Sequence, residues 1–313
     1  MKQNKKPTVV GLGEALFDVF PDRKILGGAP LNVAVMAHQL LAPLGGRGIV
    51  ASRIGWDDNG DALLRELANR KMSTSYLQPN SGHRTGEVQV EIVEGEPKYH
   101  IIEDVAWDYL EFGDRLQSLA GSCDAVCFGT LAQRSPASRQ AIHLFLEAAR
   151  QAIRLFDVNL RQKYYSTGVL MQSCRQATWL KLNEAELEGV SRELDFVKKV
   201  TGSPSPETLI PLFLSEYALD GVALTRGRKG TLLFTREGSF TSEPVRYEPQ
   251  PGADPVGAGD ACSAGLLVGL LLNWPLEEVA RLANTMGAFV ASRPGATPQL
   301  PREIVRLASG ESG

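Results

Sequence analysis

Six short apolar runs, at residues 8–12, 49–54, 125–128, 155–158, 179–182 and 222–225, recur along the chain with helix-length segments in between. This alternation constrains the fold more than any other feature, because it is what a parallel sheet with crossover helices requires. The predicted architecture is α/β. Apolar residues at helical spacing over 32–41 and 61–70 supply two of the crossovers. The later strands end in polar residues or glycine. In open parallel sheets ligands collect beyond the carboxyl ends of the strands, so those endings are where chemistry is to be sought.

One segment breaks the rhythm. Between residues 85 and 102, Glu87, Gln89 and Glu91 alternate with Val88, Val90 and Ile92 before a turn at 94–97, which predicts a β-hairpin with one wet face. Such a hairpin belongs to a small separate sheet over an edge or cleft, a lid, and residues 15–25 are predicted to add strands to it, with a turn at Pro21-Asp22-Arg23. The lid would span about 15–27 and 84–104 of a single domain covering residues 1–313. A surface loop is expected at 202–206.

Composition removes several classes of function. A length of 313 residues with 43% hydrophobic side chains suffices for one large core, and a net charge of −3 without basic tracts gives no purchase for nucleic acid or lipid. The start of the chain does not read as a secretory segment, and the longest apolar stretch, 264–272, is too short for a membrane span. The expectation is a cytoplasmic protein whose partners are small molecules. Cys123, Cys127, Cys174 and Cys262 lack metal-site spacing and read as buried small hydrophobes. The four histidines carry no triad pattern, and the Gly11-Leu12-Gly13 turn leads into strand rather than helix, against a dinucleotide site.

The chemistry concentrates in two glycine turns. In the first, Gly257-Ala258-Gly259-Asp260 runs into an apolar helical stretch. Side chains this small let backbone N–H groups approach an anion, the helix N-terminus adds about half a positive charge, and Asp260 sits where a carboxylate could take a proton from an attacking hydroxyl. The plainer alternative is that Asp260 caps the helix and the glycines permit close packing. In the second, Gly27-Gly28-Ala29-Pro30-Leu31-Asn32 opens another helix, with Asp18 shortly upstream. A carboxylate and a carboxamide around a glycine turn suit a polyol, although Asn32 as a cap and Asp18 as a solvated turn residue would read equally well.

These turns resemble the two signatures of the PfkB (ribokinase-like) carbohydrate kinases, in the right order, and the resemblance continues through residues 53–60, 156–161, 181–186 and 225–230. It implies a three-layer α/β/α sandwich with a mainly parallel central sheet and a small β-sheet lid. It further implies Mg-ATP as donor and in-line transfer to a sugar alcohol. By similarity Asp260 is the catalytic base and Gly257, Ala258 and Gly259 form the anion hole. Asp18, Gly28 and Asn32 look like sugar ligands, and Arg161 resembles an arginine that reaches toward acceptor or phosphate. Asn183 and Glu186 match an Asn-x-x-Glu element that helps hold Mg²⁺ through water, with Asn183 also near the phosphates. Thr225, Gly227 and Gly230 match a nucleotide-lining turn, with Asn284 and Gly287 near the adenine. Asp157 and Asn159 are read as shaping a strand exit and are left outside the catalytic set.

One departure stands out: Pro255 replaces a threonine common in the family, removing a hydroxyl and an N–H from the turn. The resemblance also admits a potassium ion there. The stretch 13–18 and the first signature look most like the fructokinase branch, giving fructose 6-phosphate, with ribose, 2-keto-3-deoxygluconate and nucleosides left open. A sugar-binding relative without catalysis is the reading from another class. Glu87, Gln89 and Glu103 are expected to select the sugar, and an exposed apolar lid face would pair two copies into a homodimer.

Overall fold

A computed structural model describes residues 6–20, 23–93 and 96–309. The first strand, β1 (Thr8–Leu12), is buried along its whole length and lies third from one edge of a nine-stranded sheet. Two strands of a smaller sheet follow, β2 (Leu16–Val19) and β3 (Lys24–Gly27), and then the first helix, α1 (Ala29–Leu41). The chain returns through β4 (Arg47–Gly55), α2 (Asp58–Asn69) and β5 (Leu77–Asn80), and completes the small sheet with β6 (Gly86–Val93) and β7 (Glu96–Ile101). Then come α3 (Asp114–Ala120), β8 (Ala125–Phe128), α4 (Pro136–Ala148), β9 (Ile153–Asp157), α5 (Thr167–Gln176), β10 (Trp179–Asn183), α6 (Glu184–Glu193) and α7 (Pro206–Glu216). The strands β11 (Gly221–Thr225), β12 (Thr231–Thr235) and β13 (Gly238–Thr241) and the helices α8 (Ala258–Leu271), α9 (Leu276–Ala291) and α10 (Arg302–Ser309) finish the fold.

The large sheet has the order β13-β12-β11-β10-β9-β8-β1-β4-β5. Every pair from β11 to β5 is parallel, and only β12 and β13 run against their neighbours. Alternation along the strands sorts side chains to two faces. Val10, Val126, Phe128, Leu180 and Leu182 pack under α3 to α7, whereas Val9, Ala125, Cys127, Leu155 and Trp179 pack under α1, α8, α9 and α10. The result is the expected three-layer sandwich, its two cores separated by the sheet.

The second sheet has the order β3-β2-β6-β7. It is tied to the body through α2: Asp57 accepts hydrogen bonds from Gly60 N and from both the N–H and the hydroxyl of Thr85, each at 2.7 Å. Asn59 on α2 bridges Lys24 of β3 and Glu87 of β6.

Some predicted boundaries shift, for local reasons. The helix predicted from residue 32 begins at Ala29, because Pro30 fits the first turn, where its missing N–H has no partner to lose. The helix predicted from residue 61 begins at Asp58, capped by the Asp57 carboxylate. Pro206, predicted in a loop, starts α7. Glu96 and Pro97 belong to β7, and Pro21, Asp22, Glu94 and Gly95 of the two predicted turns lie outside the described residues. All four cysteines are buried and free. Among the described residues no helix is long and apolar enough to cross a membrane.

Candidate active site

The cleft lies between the carboxyl ends of the central strands and the small sheet. Its volume is about 810 Å³, with Leu16, Asp18, Phe20, Ile25, Val88, Tyr99 and Ile101 of the small sheet on one side. Two helix starts face each other across its floor.

At the start of α1, Gly28 holds φ at 105°, and a Cβ there would lie 2.5 Å from the carbonyl oxygen of Glu14, so only glycine fits without strain. One turn on, Asn32 is buried and points its amide into the cleft. At the start of α8, Gly257 is left-handed with φ at 77°, and Asp260 occupies the first turn. The two ends are joined: Asn32 Nδ2 donates to Asp260 Oδ2 at 2.8 Å across 228 residues of sequence. This bond holds one carboxylate oxygen of a residue that lines the cleft and leaves the other without a hydrogen bond among the described residues.

Burial pushes the Asp260 carboxyl up to about 6, with the negative charge of Asp157 adding to it; the Asn32 hydrogen bond, Lys181 and Arg161 pull the other way. Asp18 is also raised to about 6, by burial first and by the charges of Asp260 and Asp254, against the pull of Arg161. A carboxylate poised near neutrality is suited to accept a proton in a reaction.

Of the three residues predicted for the anion hole, Gly257 and Gly259 line the cleft and Ala258 does not. The Ala258 N–H turns back onto the Pro255 carbonyl at 3.2 Å. The cleft-lining stretch with no backbone acceptor among the described residues is thus Gly257, Gly259 and Asp260.

Arg161 lines the cleft although its side chain is largely exposed. Asn183 and Glu186 also line it, locked in a capping box: Asn183 Oδ1 accepts from Glu186 N and Glu186 Oε2 from Asn183 N, both at 2.9 Å. Glu186 Oε1 accepts from Leu160 N at 3.1 Å. Among the described residues no cluster of three His, Cys, Asp or Glu side chains could hold a metal ion alone. One fixed carboxylate and one amide fit a hydrated Mg²⁺ that brings its own water and phosphate oxygens.

Thr225 lines the cleft, whereas Gly227, Gly230, Asn284 and Gly287 do not. The Asn284 amide is spent inside the fold: its Oδ1 accepts from Thr231 N at 2.8 Å and its Nδ2 donates to Ser242 Oγ at 3.1 Å. The lid differs from expectation too. Val88 faces the cleft, so Glu87 and Gln89, one residue to either side, belong to the opposite face, where Glu87 meets Asn59. Glu103 binds the Tyr164 hydroxyl at 2.8 Å and lines a separate hollow of about 470 Å³.

Several charged groups in the cleft have no role in the sequence reading, among them Lys181 and Glu14. Lys181, inside β10, is buried against Asp157, with Nζ 2.9 and 3.0 Å from the two carboxylate oxygens. A lysine within an otherwise apolar strand, next to a strand ending in aspartate, was the available signal. Glu14 is buried at the start of α1, one carboxylate oxygen has no partner among the described residues, and burial raises its pKa to about 7.

Comparison with known proteins agrees with this geometry. The pfkB family carbohydrate kinase profile matches residues 13–303. The chain is 30% identical to the fructokinase of Salmonella typhimurium, over 93% of this chain and 95% of that one, and 30% identical to the fructokinase of Escherichia coli over the same shares. Among solved structures, fructokinase from Xylella fastidiosa with bound ATP superposes with a TM-score of 0.83 at 21% identity, covering 98% of this chain and all of the other. Fructokinase from Vibrio cholerae, in a form with fructose, ADP and calcium bound, superposes with a TM-score of 0.78 at 23% identity and similar coverage. With a profile match across nearly the whole length and both glycine turns facing one cleft, the chain belongs to the pfkB family of carbohydrate kinases.

Proposed function

We propose that this kinase transfers the γ-phosphoryl group of Mg-ATP to the primary hydroxyl of a hexose, fructose, yielding fructose 6-phosphate. The observation that carries the reading is the 2.8 Å bond from Asn32 to Asp260, which couples a polyol-type group to a candidate base. Asp18, Gly28 and Asn32 orient the sugar with its hydroxyl beside the free oxygen of Asp260. Asp260 takes the hydroxyl proton as the oxygen attacks phosphorus in line, and ADP leaves. The free N–H groups of Gly257 and Gly259 receive charge on the phosphoryl oxygens, where preorganised donors act most strongly. Arg161 steadies the acceptor end. Asn183 and Glu186 would hold Mg²⁺ through water, and the ion would neutralise phosphate charge. Thr225 would flank the nucleotide.

The acceptor rests on the curated fructokinases and on the fructose-bound Vibrio cholerae structure. A second Vibrio cholerae form holds potassium, which makes that ion a candidate activator here. The test is ADP release with Mg-ATP across fructose, glucose, ribose, 2-keto-3-deoxygluconate and adenosine, with and without potassium. Preference for fructose by at least tenfold in kcat/KM is the expected result. Preference for another acceptor overturns the substrate and keeps the kinase, while absence of turnover on all five favours a binding protein.

A further inference from the structure

Lys181 has more to do than its ion pair requires. Its register neighbour on β9 is Asp157, and both side chains point to the α8 side of the sheet, as Trp179 and Leu155 do. The same carboxylate accepts the Ser263 hydroxyl at 2.6 Å, and Ser263 Oγ lies 3.1 Å from the carbonyl oxygen of Gly259. The pair is thereby fastened to the first turn of α8. A Cβ on Gly259 would come within 3.7 Å of Lys181 Nζ, which puts the ammonium directly beneath that turn. An ammonium has three donors, and Asp157 takes at most two; the third has no partner among the described residues.

Charge in the cleft gives this donor a purpose. Six carboxylates line the cleft against three cations, Arg23, Arg161 and Lys181. Of the three only Lys181 is buried, so water screens it least. The amides at the start of α8 supply donors but only about half a charge. A transferring phosphoryl group spreads negative charge over three oxygens, and a fixed cation in a site shielded from water stabilises it strongly. Burial alone would lower the lysine pKa, but the charge of Asp157 outweighs it and holds the ammonium protonated.

We propose that Lys181 is a catalytic residue, the side-chain arm of the anion hole, whose free N–H binds an oxygen of the phosphoryl group in transit, with Asp157 and Ser263 as its positioning residues. This rests on the reading of Asp260 as base beside that hole. Lys181→Met is expected to lower kcat roughly 10²–10³-fold, with sugar affinity within about threefold of native. It also leaves Asp157 buried and uncompensated, which destabilises the fold by itself. The double variant Lys181→Met/Asp157→Asn separates the two effects, because it removes both charges.

In the double variant the melting temperature is expected to recover while kcat stays low. Affinity for ADP with aluminium fluoride and sugar, a mimic of the phosphoryl in transit, should fall as far as kcat, with affinity for ADP alone nearly unchanged. Recovery of turnover together with the melting temperature, or near-native kcat in Lys181→Met, overturns the proposal and leaves the pair structural. Asp260→Asn assayed in parallel reports on the underlying reading: near-native turnover there sinks the base assignment whatever Lys181 does.

Discussion

The starts of α1 and α8 use the same backbone device for opposite ends. Each opens on a glycine with positive φ, neither has a side-chain cap, and each carries a polar residue in its first turn or just beyond it, Asn32 or Asp260, that points into the cleft. Their surroundings differ. The Ala29 N–H at α1 faces the protein's own Glu14 carboxyl, and Asp18 stands nearby across the cleft. The start of α8 has Lys181 beneath it and free N–H groups at Gly257 and Gly259. A helix N-terminus attracts negative charge wherever it lies. In the function proposed above, neighbouring side chains decide the ligand: acceptors beside α1 suit the hydroxyls of a polyol, and a cation beside α8 suits a phosphate.

The largest effect is expected where the two ends meet. Asp260→Asn keeps the shape and the Asn32 contact but cannot accept a proton, so kcat should fall roughly 10²–10⁴-fold while sugar still binds. The sign with pH follows from the raised carboxyl. Below about 6 the native Asp260 is protonated and idle, so kcat/KM should rise with pH through about 6 and then level. A flat profile from pH 5 to 8, with a near-native rate in the variant, would make Asp260 a cap and dissolve the functional difference between the two ends.

Next in size, Asp18→Asn should weaken the acceptor end alone. Losing a charged acceptor to substrate hydroxyls costs about 1.5–3 kcal/mol, or roughly 10–100-fold in sugar KM. The KM for ATP should hardly move. A change confined to ATP would reverse the polarity assigned to the cleft.

The paired glycine substitutions sharpen the same contrast. At Gly257 a Cβ would meet the Ala296 carbonyl oxygen at 2.5 Å, and at Gly28 that of Glu14 at the same distance. With positive φ at both, alanine should cost about 1–3 kcal/mol of stability in either place. Steady-state kinetics separates them: Gly257→Ala should degrade kcat, and Gly28→Ala the sugar KM. If both alter the same parameter, the two starts do not serve different ligands.

How far these roles could be read from the sequence depended on how local each was. Short apolar runs with polar ends located six of the parallel strands to within about two residues but not β5, whose Leu77-Gln78-Pro79-Asn80 is no apolar run, and strict alternation located the hairpin of the small sheet. Asn32 and Asp260 were legible because each follows a glycine turn into a helix. Alternation does not say which face of a strand meets the cleft, and Glu87 and Gln89, expected to select the sugar, lie on the face of β6 away from it. Ala258 was misjudged because its N–H is consumed by a turn to Pro255, a matter of backbone geometry. Lys181 was hidden by sequence distance. Its partner Asp157 lies 24 residues away, Ser263, which binds Asp157, lies 106 residues beyond that, and the three converge only when β9, β10 and α8 are stacked.

Glu14 offers the smallest and most selective test, on stability. Its pKa is raised from 4.5 to about 7 in the folded protein by burial, which corresponds to about 3 kcal/mol against the ionised form. A carboxyl with a raised folded pKa contributes fully below its unfolded pKa, and that contribution is lost as pH rises through the folded value. Glu14→Gln carries no such penalty, so it should be the more stable protein at pH 8. Because the amide still leaves a polar atom buried at the start of α1, the gain should fall short of that ceiling, as a melting-temperature rise of about 2–4 °C. At pH 5 the difference should shrink toward zero. An equal gain at both pH values would assign the effect to packing and remove the carboxyl from the contrast between the two helix starts.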